Sequence, residues 1–178
     1  MSLHDILIQR RSAILEEWRA TLHAIYPAET VQFLQRQKNQ FMNPVGRAAE
    51  ECTQQLLDFL SQPNNQTDPP EALDYLLKIR SVQDFEPSAA LQFIPELKSI
   101  VYRLGSAGIQ SEEIQEEFRQ FEQRIDELTL KAFDLYVQHR EKVYELRAEA
   151  LRRQYAKVLE QADRGIFRSQ DTSSEATS

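Results

Sequence analysis

Apolar residues recur at helical spacing along almost the whole chain, and caps and prolines cut that pattern into segments. Ser2 followed by Asp5 predicts a helix start. Leu7, Leu15, Trp18, Leu22 and Ile25 then carry a first helix to Tyr26. Pro27 suits the first turn of a second helix bearing Val31, Phe33 and Leu34. Asn43-Pro44 predicts a third. Asn accepts N–H groups left free at a helix start, and Pro has no N–H to leave orphaned. Its apolar side is Val45, Ala49, Cys52, Leu56, Phe59 and Leu60. The polar run from Ser61 to Thr67 reads as a surface loop. Asp68 and Glu71 stand at capping-box spacing with Pro69 at the first helical position, which predicts a fourth helix running toward Phe85. Glu86-Pro87 opens a fifth, from Leu91 to Leu104. Pro95 lies inside it and is expected to kink or split it before Gly105 ends it.

The last helix is expected over about residues 111–164, because no Gly or Pro interrupts Ser111 to Arg164. Ordinary helices average about 12 residues. Residues 111–127 hold seven acids and two bases, while residues 141–168 hold seven bases and five acids. Both excesses complement the helix dipole. Ile114, Phe118, Phe121, Ile125, Leu128, Ala132 and Leu135 form a first stripe, expected to face the core. The phase breaks around His139 to Glu141. A second stripe follows: Tyr144, Ala148, Leu151, Tyr155, Val158 and Ala162. Its seam predicts a parallel coiled-coil homodimer through Tyr144, Leu151, Tyr155 and Val158, aided by the first helix around Leu7 and Ile14. Gly165 is the expected stop. The domain reading is a single helical domain over 1–164 and a disordered tail over 165–178.

Composition narrows the function classes. The 178 residues are 41% hydrophobic, enough for a packed core. A formal net charge of −7 argues against a nucleic-acid partner, which needs a basic face. No apolar run is long enough for a membrane span, and no secretory leader is visible, so the expected location is the cytoplasm. The single Cys52 excludes a Cys-based zinc site, and reads as a buried, inert thiol. Glycine-rich phosphate loops, GxSxG, HExxH and EF-hand loops are absent. The residues three before His4, His23 and His139 are Met1, Ala20 and Tyr136, so the E-x-x-H pattern of a di-iron bundle is missing. Glu112, Glu113, Glu116 and Glu117 read as a solvated stripe. Phe33, Phe59, Phe85, Phe93, Phe118, Phe121 and Phe133 read as core, with Phe41 and Trp18. No catalytic residue, metal site or cofactor is expected.

Several phrases occur in a specific order: Trp18 with Ile25-Tyr26-Pro27, Phe33 to Lys38, Asn43-Pro44-Val45-Gly46, Ile79 to Phe85 with Pro87-Ser88, Phe121 to Asp126, Ala132 to Tyr136, and Arg140 to Arg147. Together they resemble the RsbRD N-terminal domain family over roughly residues 7–162. The resemblance implies a non-catalytic, sensory input domain of an RsbT co-antagonist, globin-like without haem and dimeric. In such proteins it precedes a STAS domain in the stressosome. This chain ends at Ser178 without one, so the expectation is a stand-alone copy working with a protein partner. Lys38, Asn43, Arg80, Gln83 and Asp84 are the candidate ligand site or structural polar network. Arg80 and Asp84, four residues apart, are expected to pair on one helix. The alternatives are an adaptor or scaffold subunit of a larger, redox-type assembly, and a haem or small-molecule carrier. The fold class expected is all-α, globin-like or a helical bundle, with a long C-terminal helix.

Overall fold

The computed structural model describes the backbone of residues 2–36, 43–62 and 68–174, with side chains except at 35 and 163–174. The helices in chain order are α1 (Leu3–Gln9), α2 (Arg11–His23), α3 (Ala28–Arg36), α4 (Pro44–Ser61), α5 (Glu71–Val82), α6 (Pro87–Leu91), α7 (Phe93–Gly105) and α8 (Glu112–Ser174). No strand occurs among the described residues, and the fold is all-α.

Local chemistry explains where these helices begin and break. The Ser2 hydroxyl accepts from Asp5 N at 3.2 Å and the Asp5 carboxylate accepts from Ser2 N at 2.8 Å, a complete capping box. The expected first helix is two helices, because the chain turns at Arg10. An unbroken helix would carry Arg10 and Arg11 into the stripe that joins Leu7 to Ile14. The turn instead leaves Arg11 to pair with Asp58 at 2.6 Å. Asp68 does not cap α5. Pro70 takes the cap position with ψ 145°. Pro69 precedes another proline, which disfavours the helical conformation it was expected to adopt. The expected fifth helix splits at Gln92, so that Pro95 falls in the first turn of α7, where its missing N–H costs least. α8 runs through Gly165 to Ser174. A lone glycine weakens a helix by about 1 kcal/mol and need not end it.

Two units divide the chain, Met1–His139 and Arg140–Ser178. The first holds the core. Trp18, Leu22, Cys52, Leu56, Leu76, Ile94, Ile125 and Tyr136 are all fully buried within it. The first stripe of α8 faces this core as expected, with Tyr136 fully buried and Leu135 only partly so. α8 also satisfies the ends of other helices. Glu117 Oε2 accepts from Leu3 N at 2.6 Å, placing a carboxylate on the positive end of α1. Arg124 donates to the carbonyls of Phe59, Leu60 and Gln62 at 2.7, 2.7 and 2.6 Å, closing the negative end of α4. Leu7 and Ile14 are buried here and cannot serve a second chain as expected. Phe33 and Phe133, expected in the core, are instead about half exposed at 50% and 47%. Their positions fall on the outer sides of α3 and α8. In the second unit the side chains described along the helix are almost all exposed.

Candidate functional site

Arg80 occupies the last turn of α5 and is fully buried. Its Nη2 donates to the carbonyl of Leu22 at 2.8 Å, and its Nη1 donates to the carbonyl of Ala90. These carbonyls lie near the C-terminal ends of α2 and α6. The guanidinium is therefore held by the negative ends of two other helices. It also lies over the Phe93 ring, 5.0 Å from the centroid. The backbone carbonyl of Phe93 accepts from Trp18 Nε1 at 2.6 Å. Burial pushes the Arg80 guanidinium below its ordinary value, while the Tyr26 phenol, the Cys52 thiol and the Tyr136 phenol oppose that shift.

The segment after α5 is tied down by two tyrosines. Tyr26 donates to Gln83 Oε1 at 2.8 Å and sets its ring edge-on to Phe85 at 5.3 Å. Tyr136 of α8 donates to the carbonyl of Phe85 at 2.5 Å. Gln83 and Asp84 are exposed at this corner. Asp84 has φ 59°, a left-handed conformation that Asp tolerates better than most residues. The four-residue pairing expected between Arg80 and Asp84 assumed one continuous helix. α5 ends at Val82, and the Arg80 guanidinium is directed to carbonyls.

Asn43 belongs to a different knot. Buried at the start of α4, it accepts from Gly46 N at 2.8 Å through Oδ1 and donates to the Leu34 carbonyl at 2.7 Å through Nδ2. It thus joins α3 to α4. A Cβ on Gly46 would lie 2.3 Å from Asn43 Nδ2, so the close cap requires glycine there. Lys38 lies outside the described residues. Cys52 is fully buried, and desolvation pushes its thiol up to about 12. His139 Nε2 lies 2.8 Å from Asp74 Oδ1.

The four seam residues lie in the second unit and are open: Tyr144 52%, Leu151 53%, Tyr155 68% and Val158 55% exposed. Arg140 covers part of one, its guanidinium 4.8 Å from the Tyr144 ring centroid and donating to the Tyr144 hydroxyl. A groove of about 340 Å³ beside α3 is lined by Glu29, Gln32, Phe33 and Arg36. Among the described residues no group of three or more His, Cys, Asp or Glu is placed to hold a metal. None of their helices is long and apolar enough to cross a membrane.

The sequence reading missed the roles of Trp18, Arg124 and Tyr136 as hydrogen-bond donors. All three stand inside the ordered phrases, but their acceptors are backbone carbonyls, which carry no residue-type signal.

These features define an all-helical domain whose buried polar groups are spent mainly on helix ends. The chain belongs to the RsbRD N-terminal domain family, described as the RsbT co-antagonist protein rsbRD N-terminal domain, which matches residues 12–151. That family comprises sensory and regulatory domains and is not known for catalysis. Comparison with curated proteins and with solved structures yields no match.

Proposed function

We propose that this chain is a non-catalytic sensory input domain, cytoplasmic and homodimeric, that works within a stressosome-type signalling assembly. The exposed corner at Gln83 and Asp84 receives the signal, and α8 carries it. The observation that carries this reading is the Tyr136–Phe85 hydrogen bond of 2.5 Å. It links the corner that Tyr26 and Arg80 brace to the helix that continues through residue 174. A change at the corner alters the packing of Tyr136, and a helix transmits such a change along its length. Arg80 and Asn43 are supports in this scheme, each holding helix ends in place.

The non-haem reading is supported by the use already made of one candidate axial ligand. His139 pairs with Asp74, and haem ligation through Nε2 would break that pair. Homodimerisation is supported by the open seam, since an exposed apolar row invites a covering partner. Hydrogen–deuterium exchange on Tyr136→Phe tests the transmission step. We expect the variant to fold, to lose about 1 kcal/mol, and to exchange faster over residues 132–150. Exchange there identical to wild type would overturn the route through Tyr136. Capture of a STAS protein or its kinase, as opposed to a metabolic complex, separates the sensory reading from the adaptor reading, which the open seam also suits.

A further inference from the structure

Within the second unit the open row Tyr144, Ala148, Leu151, Tyr155, Val158 and Ala162 alternates spacings of four and three. That is the core spacing of a coiled coil, in which each layer joins one residue from each helix. One step backward, the same row reaches Glu141. Arg140 and Arg147 flank it on one side, and Glu145 and Arg152 on the other. Arg152 is exposed and has no ion-pair partner among the described side chains. Glu145 meets Lys142 of its own helix at 3.2 Å, with both side chains largely exposed. Such a pair contributes little and leaves the carboxylate able to serve another chain.

Two copies can share this row in either direction, and charge separates the two. In a parallel pair identical residues meet. Glu141 then faces Glu141 of the second copy, and Ala148 faces Ala148, so one layer repels and another is thin. On the flanks Arg140 meets Glu145 of the second copy, but Arg147 meets Arg152, and the repulsion cancels the attraction. In an antiparallel pair centred between Glu149 and Ala150, Ala148 lies opposite Leu151, Tyr144 opposite Tyr155 and Glu141 opposite Val158. Small meets large, and the carboxylate no longer meets its own copy. Glu145 faces Arg152 of the second copy, twice by symmetry, while Arg147 faces Gln154. Sliding that pair by one heptad in either direction sets Glu145 against Glu145 or Arg152 against Arg152. The charges therefore fix register as well as direction.

We propose that the row pairs with a second copy of this chain running antiparallel, with Glu145 of each copy on Arg152 of the other. The proposal rests on the homodimer reading above and reverses the parallel coiled coil that spacing alone predicts.

Direction is read from one spin label on each full-length chain. The Cys52 thiol is buried, so Glu160→Cys, on the side away from the row, supplies the reactive site. In the antiparallel pair the two labels lie about 30 Å apart along the axis, at ~1.5 Å per residue; a parallel pair holds them within about 20 Å, two helix diameters. Sedimentation equilibrium provides the second arm. Arg152→Glu should weaken the dimer about tenfold, as two attractions become two repulsions. Adding Glu145→Arg to it should return the affinity to within about threefold of wild type. In a parallel pair Arg152→Glu tightens the dimer instead, by setting a carboxylate opposite Arg147. Both positions are exposed, so the core of the first unit is left intact. Labels held close together, an Arg152→Glu dimer as tight as wild type or tighter, or a double variant no better than the single one overturns the antiparallel direction and leaves the dimer standing. A wild-type protein that stays monomeric at tens of micromolar overturns the homodimer reading and this proposal with it.

Discussion

Before His139, every third or fourth residue of α8 is sealed: Ile125, Ala132 and Tyr136 are fully buried. From Tyr144 onward the same spacing carries large apolar side chains that are more than half exposed. The helical period is equally good in both stretches, and local propensity does not distinguish them. What differs is polar chemistry. The first unit anchors its helices with donors aimed at carbonyls, through Arg80, Arg124, Trp18 and Tyr136. The second makes contacts within its own helix, such as Lys142 with Glu145 at 3.2 Å and Arg153 with Glu149 at 3.4 Å. Such exposed pairs contribute only about 0.3–0.5 kcal/mol each. An apolar stripe thus says that a helix has a face to cover, whereas the anchoring donors decide whether its own domain covers it.

The sharpest way to break the contrast is to remove the anchor in the first unit. Arg80→Ala should cost about 3 kcal/mol, because two helix-end carbonyls lose their donor and a cavity opens beneath Phe93. Calorimetry would register this as a large fall in Tm, and an unchanged Tm would refute the anchoring role. Gly46→Ala comes next, at about 1–2 kcal/mol, since the new methyl forces Asn43 out of its cap. Circular dichroism melts of Gly46→Ala and Asn43→Ala should then agree.

A gentler probe is pH. Burial, then Arg80, then Arg19 hold the His23 imidazole below its usual 6.5, so it is neutral when folded and takes up a proton more readily when unfolded. Its contribution to stability is complete above about pH 6.5 and declines as pH falls toward the lower folded value. His23→Gln should flatten that part of a denaturation-versus-pH profile; an unaltered slope would show that His23 is not its source. The smallest effect on stability belongs to the second unit. Leu151→Asp should leave the melting of Met1–His139 within about 0.5 kcal/mol while shifting the mass in light scattering from two chains toward one. A wild-type protein that is monomeric at tens of micromolar, or a fully dimeric variant, would remove this seam as the interface.

How much of this was legible depended on where each partner sits in the chain. The Asn43 cap could be read because Pro44 and Gly46 are its neighbours and share its signature. The buried stripe from Ile114 to Ala132 could be read because its period is local. Arg80 was legible as a special residue but assigned the wrong partner. Asp84 is close in sequence, whereas Leu22 and Ala90 offer only carbonyls. Pro95 announced the split of the fifth helix, borne out at Gln92, but the turn at Arg10 was not foreseen, because tertiary packing sets where that helix stops. The exposure of Phe33 and Phe133 shows the same limit, since helical spacing does not say which side of an aromatic row finds a neighbour.

The clasps made by Glu117 and Arg124 have a consequence for how the protein is born. Leu3 waits for a carboxylate 114 positions downstream, and the end of α4 waits for a guanidinium more than sixty positions away. During synthesis the first seven helices therefore emerge with both ends of this arrangement open. The clasps on α1 and α4 close only once the ribosome has delivered the first part of α8. Contacts this distant in sequence close slowly, because loop entropy must be overcome before they reward the chain. The longest helix of the molecule is thus also the last piece its earliest helix needs.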